Sequence, residues 1–104
     1  MIKELTQENF TEATGSQKPV LVDFWASWCG PCRMLSPVID SLSEEYSGQI
    51  EVGKVNVDEQ GTLAAQFGIA SIPTVILFKG GKEIKRIIGV HDADDYRDEI
   101  DALL

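Results

Sequence analysis

The 104-residue chain has only two cysteines, one histidine and nine basic residues against seventeen acidic ones. Each shortage removes a class of function. A structural zinc site needs four protein ligands, and beyond Cys29 and Cys32 only His91 is at hand, so closing a tetrahedron would take a second subunit or distant carboxylates. Covalent haem attachment requires His directly after the second cysteine, and Arg33 stands there. A formal net charge of −8 disfavours phosphate backbones and anionic membrane surfaces, so neither nucleic acid nor membrane is an expected partner. No apolar run approaches the length of a membrane-crossing helix, and Met1-Ile2-Lys3-Glu4-Leu5-Thr6 lacks the apolar stretch of a signal peptide, which points to a cytoplasmic protein. Internal repeats, low-complexity tracts and Pro/Gly/Ser linkers are also missing, and 43% hydrophobic content suits one domain over residues 1–104.

Against these absences stands Trp28-Cys29-Gly30-Pro31-Cys32, placed where the apolar run Val20 to Ala26 gives way to a helical pattern. Two thiols at this spacing in the first turn of a helix share a face and can close and reopen a disulfide with little backbone movement. A bridge over so short a loop removes little chain entropy, so stability is a poor reason for it. In a reducing compartment a cysteine pair is more often catalytic or metal-binding than structural. The pair reads as a working dithiol.

The remaining pattern alternates strands and helices. A strand near Ile2 to Leu5 leads to a helix capped by Thr6 and ending near Gly15, then to the buried strand Val20 to Ala26. Leu35, Val38, Ile39, Leu42 and Tyr46 recur at helical spacing up to a stop at Gly48, with a kink expected at Pro37. A strand from Ile50 to Val57 precedes a short helix begun by Asp58 and ended by Gly68. Gly80-Gly81 between Thr74 to Lys79 and Glu83 to Ile88 signals a tight antiparallel hairpin. The last helix is capped by Asp92 and buries Tyr96, Ile100, Leu103 and Leu104. The order βαβαβαββα predicts an α/β fold, a mixed five-stranded central sheet flanked by four helices.

The placement of the thiols suggests a division of labour. Cys29, just before the helix, is expected to be exposed and held as thiolate by free backbone donors near the positive end of the dipole, and Cys32, one turn in, to be more enclosed and to attack second. Pro31 stiffens the turn and adds no donor to the Cys29 sulfur, which argues for a reductant over an oxidant. Asp23 places a carboxylate in an apolar strand; it is either a buried base for the Cys32 proton, its pKa raised by about two to three units, or a group at a frayed strand end. Lys54 can approach Asp23 or reach solvent. Ile72-Pro73-Thr74 suits a cis turn, with a trans loop proline as the alternative. With Trp28 and Gly89-Val90 it outlines an apolar rim for an extended peptide, while Trp25 reads as a core aromatic. His91 reads as a surface group or a proton-linked one.

Taken together, Val22-Asp23-Phe24-Trp25-Ala26, Trp28 to Cys32, Pro37, Lys54-Val55-Asn56-Val57-Asp58, Phe67-Gly68-Ile69, Ile72-Pro73-Thr74, Phe78-Lys79-Gly80-Gly81 and Gly89 resemble the thioredoxin family over nearly the whole chain. The resemblance implies the thioredoxin fold and a protein disulfide reductase. Cys29 would be the nucleophile, Cys32 the resolving thiol, Asp23 the buried base with Lys54 beside it, and Pro73 a cis proline facing the disulfide. Trp28, Gly30, Pro31, Ile72, Gly89 and Val90 complete the expected substrate surface. No bound cofactor is implied, since NADPH and FAD serve only the partner, thioredoxin reductase. Ribonucleotide reductase, peroxiredoxins and methionine sulfoxide reductases are the implied clients of a monomeric carrier. Arg33, Ser71 and His91 depart from the most familiar pattern, at positions that bear on docking. A thiol oxidant or isomerase, and a binding module whose thiols are idle, are the competing readings.

Overall fold

Period-two alternation in the strands decides which side of the sheet each residue serves. The computed structural model describes residues 2–104. Five strands, β1 (Ile2–Glu4), β2 (Val20–Trp25), β3 (Glu51–Asn56), β4 (Thr74–Lys79) and β5 (Lys82–Ile88), form one sheet in the order β1-β3-β2-β4-β5. β1, β3 and β2 run parallel, while β4 and β5 are antiparallel to their neighbours, which makes the sheet mixed. Four helices, α1 (Phe10–Thr14), α2 (Gly30–Glu45), α3 (Gly61–Gln66) and α4 (Ala93–Asp101), supply the crossovers and the C-terminal cover.

Along β2, Val20, Val22 and Phe24 enter a core with Phe10 of α1, Leu63 of α3 and Phe78 of β4. Phe67 packs there too, its ring centroid 5.1 Å from Phe10 and 6.0 Å from Phe24. Leu21 points the other way, into a core with Leu35, Ile39 and Leu42 of α2 and Tyr96 and Ile100 of α4. Asp23 follows Leu21 at the two-residue period and so belongs to the α2 side of the sheet. In β3 the same alternation sets Val52 with the α2 core and Val55 with the α1 core, which puts Lys54 on the side of Asp23, its register partner.

Between them, Gly53 faces Leu5, and a Cβ at this glycine would lie 2.6 Å from Leu5 Cδ1, so only glycine lets Leu5 pack against the strand. The hairpin forms at Gly80 and Gly81, with φ of 60° and 82°, both left-handed as a type I′ turn demands. α4 is lashed to α2 by Tyr46 Oη donating to Asp101 Oδ1 at 2.7 Å and by Arg97 Nε donating to the Glu45 carboxylate at 2.9 and 3.0 Å.

Two helix starts differ from the sequence expectation. α1 begins at Phe10, because Asn9 Oδ1 accepts the Thr6 amide and Asn9 Nδ2 donates to the Glu4 carbonyl, folding residues 6–9 into a turn in place of a helical first turn. α3 begins at Gly61, because Asn56 Oδ1 accepts the Asp58 and Glu59 amides and closes another side-chain turn. Asp92 occupies the N-cap of α4 with extended backbone but without a side-chain cap bond. Leu104 is exposed, leaving Tyr96 and Ile100 as the buried stripe with Leu103 against it. α2 runs unbroken through Pro37.

Candidate active site

The site lies where β2 ends and α2 begins. Cys29 has the extended backbone of an N-cap residue, φ −90° and ψ 109°, and its Sγ accepts from the Cys32 amide at 3.2 Å. The sulfur thus occupies the place that a Ser or Asp oxygen takes in an ordinary cap, facing the free donors of a sixteen-residue helix. Gly30 and Pro31 form the first helical positions, where the absent amide of Pro31 loses no helical bond. Cys29 and Cys32 are joined as a disulfide, the oxidised end of a dithiol cycle.

The expected difference in exposure between the two cysteines is absent: each residue is 4% exposed. The bond draws both side chains into one cluster with Ala26, against which Trp25, Val57 and Ile72 pack. What separates the sulfurs is their surroundings. Cys29 Sγ sits at the helix cap, 3.8 Å from the Ile72 carbonyl oxygen. Cys32 lines a cavity of about 170 Å³ together with Asp23, Trp25, Arg33, Ser36 and Lys54. Trp25, read from the sequence as core, is half-buried and forms a wall of that cavity.

Asp23 is 1% exposed, and among the described residues its Oδ1 has no hydrogen-bond partner. Burial pushes its carboxyl from 3.8 up to about 6; Lys54 pulls the other way and Asp40 adds to the rise. Lys54 Nζ donates to Ser36 Oγ at 3.1 Å. Among the described residues no ion pair joins Lys54 to Asp23.

Around the disulfide, Trp28 is 67% exposed, and its indole Nε1 donates to Asp58 Oδ2 at 2.8 Å. Beside it a shallow groove of about 160 Å³ is lined by Val57, Ile69, Ala70, Ser71 and Ile72. The Ile72-Pro73 bond is cis, and the Pro73 carbonyl accepts the Gly89 amide at 2.9 Å, tying the Gly89-Val90 loop to the same edge. Val90 and Met34 add exposed apolar surface. Arg33 donates to the Ser27 carbonyl at 2.8 Å. His91 bridges Asp95 Oδ2 at 3.0 Å and the Ile88 carbonyl at 2.9 Å. Sequence reasoning missed Ser36, although it lies one helical turn after Cys32 on the same face. It also read Asp58 as a helix cap when its carboxylate holds Trp28.

The sequence model of the thioredoxin family matches residues 1–102. This chain belongs to the thioredoxin family. A thioredoxin from Alicyclobacillus acidocaldarius subsp. acidocaldarius is 55% identical over 85 residues, covering 82% of this chain and 81% of the relative. One from Chlorobaculum thiosulfatiphilum is 54% identical over 87 residues, covering 83% and 81%. A solved mutant thioredoxin from Halobacterium salinarum superposes with a TM-score of 0.90 at 35% identity, over 98% of this chain and 89% of that one. Thioredoxins are disulfide oxidoreductases that exchange electrons with thioredoxin reductase and disulfide substrates; their redox group is a protein disulfide, here Cys29–Cys32, with no bound cofactor. No helix among the described residues is long and apolar enough to cross a membrane.

Proposed function

We propose that this chain is a general protein disulfide reductase acting as one monomeric thioredoxin domain over residues 1–104 in the cytoplasm. Its clients are thiol-dependent enzymes such as ribonucleotide reductase, peroxiredoxins and methionine sulfoxide reductases. The carrying observation is that Cys29 sits at a helix cap while Cys32 shares a cavity with buried Asp23, whose Oδ1 has no hydrogen-bond partner among the described residues.

In the reduced protein the Cys29 thiolate, favoured by the helix donors, attacks one sulfur of a client disulfide and expels the other as thiolate, forming a mixed disulfide. Cys32 then gives its proton to Asp23, through water in the cavity that both line, and its thiolate attacks Cys29 Sγ. The second client thiolate leaves, two electrons have passed to the client, and the Cys29–Cys32 disulfide remains for thioredoxin reductase to reduce. A carboxyl near 6 is matched to this task, since it is ionised at neutral pH yet basic enough to hold a proton. Lys54 keeps that ionised form tolerable within the fold.

Trp28, Gly30, Pro31, Ile72, Pro73, Gly89 and Val90 form the surface on which an extended client segment lies. The groove beside Trp28 offers an apolar pocket for a client side chain next to the scissile sulfur. Replacing Cys32 with Ser removes the resolving step, so clients should accumulate as mixed disulfides on Cys29 and be identifiable by mass spectrometry. A Cys32→Ser protein that traps nothing, while Cys29→Ser Cys32→Ser retains full cellular function, would refute the reading.

A further inference from the structure

We propose that Ser36 is a positioning residue that holds the Lys54 ammonium off the Asp23 carboxylate and so keeps Asp23 a competent base. The inference rests on the reading of Asp23 as the proton acceptor for Cys32, and deepens it.

The geometry starts from register. Asp23 and Lys54 are partners on adjacent parallel strands and lie on the same side of the sheet, so the lysine stem begins beside the carboxylate. The ammonium nevertheless ends on Ser36 Oγ, 3.1 Å away on α2, while Asp23 Oδ1 accepts nothing. All three side chains line the Cys32 cavity. An unpartnered buried carboxylate is the strongest acceptor within such a space, and a flexible lysine beside it would ordinarily pair with it. Ser36 supplies the competing acceptor. Its hydroxyl also has a proton of its own to donate toward the cavity.

The other charged or titratable groups facing Asp23 do not take over this function. Arg33 is engaged with the Ser27 carbonyl, Asp40 of α2 carries the opposite sign to Lys54, and Tyr96 of α4 donates to the Gly89 carbonyl at 3.4 Å. With Ser36 gone, Lys54 is free to close on the carboxylate. An opposite charge in contact favours ionisation, and a more acidic Asp23 accepts the Cys32 proton less readily.

The test is the Asp23 titration followed by carbon NMR of its carboxyl in the oxidised protein. Ser36→Ala should lower the Asp23 pKa by about one unit, the low end for a newly contacting opposite charge. Ser36→Thr, which keeps the hydroxyl, should restore it. With Lys54→Met as background, adding Ser36→Ala should leave the pKa where it was, because the effect runs through the lysine. The acid limb of disulfide reduction should move down with the titration in Ser36→Ala. Alanine favours the helix, so folding is not at risk. An unchanged or raised Asp23 pKa in Ser36→Ala, or an equal drop in the Lys54→Met background, overturns the proposal. The NMR titration is independent of turnover; full turnover in Asp23→Ala would instead refute the base reading and leave the positioning result standing.

Discussion

Removing the Asp23 carboxyl should make the protein more stable at neutral pH and less stable in acid. The folded carboxyl titrates near 6 and the free one near 3.8, so the native state holds its proton to higher pH than the unfolded chain does. The Asp23 contribution to stability is therefore most favourable below 3.8, falls as pH rises to about 6, and is flat above. A gap of about two pH units corresponds to a penalty of about 3 kcal/mol once both states are ionised. Asp23→Ala relieves that penalty but enlarges the cavity at a cost of about 1 kcal/mol. The net expectation at pH 7.5 is a gain of about 2 kcal/mol, or about 10 °C in Tm for a domain of this size. At pH 3.5 only the packing loss remains, and the variant should be about 1 kcal/mol weaker than the parent. Urea unfolding of both oxidised proteins, followed by tryptophan fluorescence from pH 3.5 to 8, reads the midpoint difference, and an unchanged m-value checks that the unfolded state is comparable. A difference that does not vary with pH, or a variant weaker than the parent at pH 7.5, would refute the assignment of Asp23 as a buried carboxyl.

The same substitution should slow disulfide reduction and abolish the component of its pH profile near 6, measured by insulin turbidity with thioredoxin reductase recycling. Trp28→Ala should leave the unfolding free energy within about 0.5 kcal/mol of the parent, since the ring is 67% exposed, while raising KM for protein substrates. Gly53→Ala should destabilise by about 1 to 3 kcal/mol in urea melts, because its Cβ would drive into buried Leu5. His91 contacts an acceptor on each ring nitrogen, which only the imidazolium satisfies as a double donor, and its pKa is raised chiefly by the bond to Asp95. Its stabilising contribution is present below the unfolded histidine pKa and is lost as pH rises through the higher folded one, so His91→Gln should flatten that part of the stability profile. A histidine NMR titration at or below the unperturbed value would refute it.

Elements anchored by side-chain periodicity or by glycine were readable in advance. The apolar run from Val20 to Ala26 announced a buried strand with one misfit carboxylate, and Gly80-Gly81 announced the hairpin because two consecutive left-handed residues admit little else. The helix starts at Phe10 and Gly61 were not readable, since two asparagines outcompeted Thr6 and Asp58 for nearby amides, and nothing in residue type ranks those bonds. At the site, the Cys29–Cys32 spacing marked the disulfide pair and the apolar strand marked Asp23 as a carboxylate out of place. Equal enclosure of the two cysteines depends on their bridge, on Ala26, and on Val57 and Ile72 from distant segments, and the engagement of Lys54 by Ser36 joins residues eighteen apart in the chain; no local pattern encodes either.

The two-sidedness of β2 gives the chain a form of proofreading. Sliding that strand by one residue would thrust a carboxylate among the phenyl rings of Phe10, Phe67 and Phe78 and bring Phe24 over the sulfur pair. Such a misthreaded chain loses its aromatic interior and the placement of Asp23 beside Cys32 in a single error. The partition that builds the aromatic interior thus also fixes which face of the sheet the carboxylate occupies.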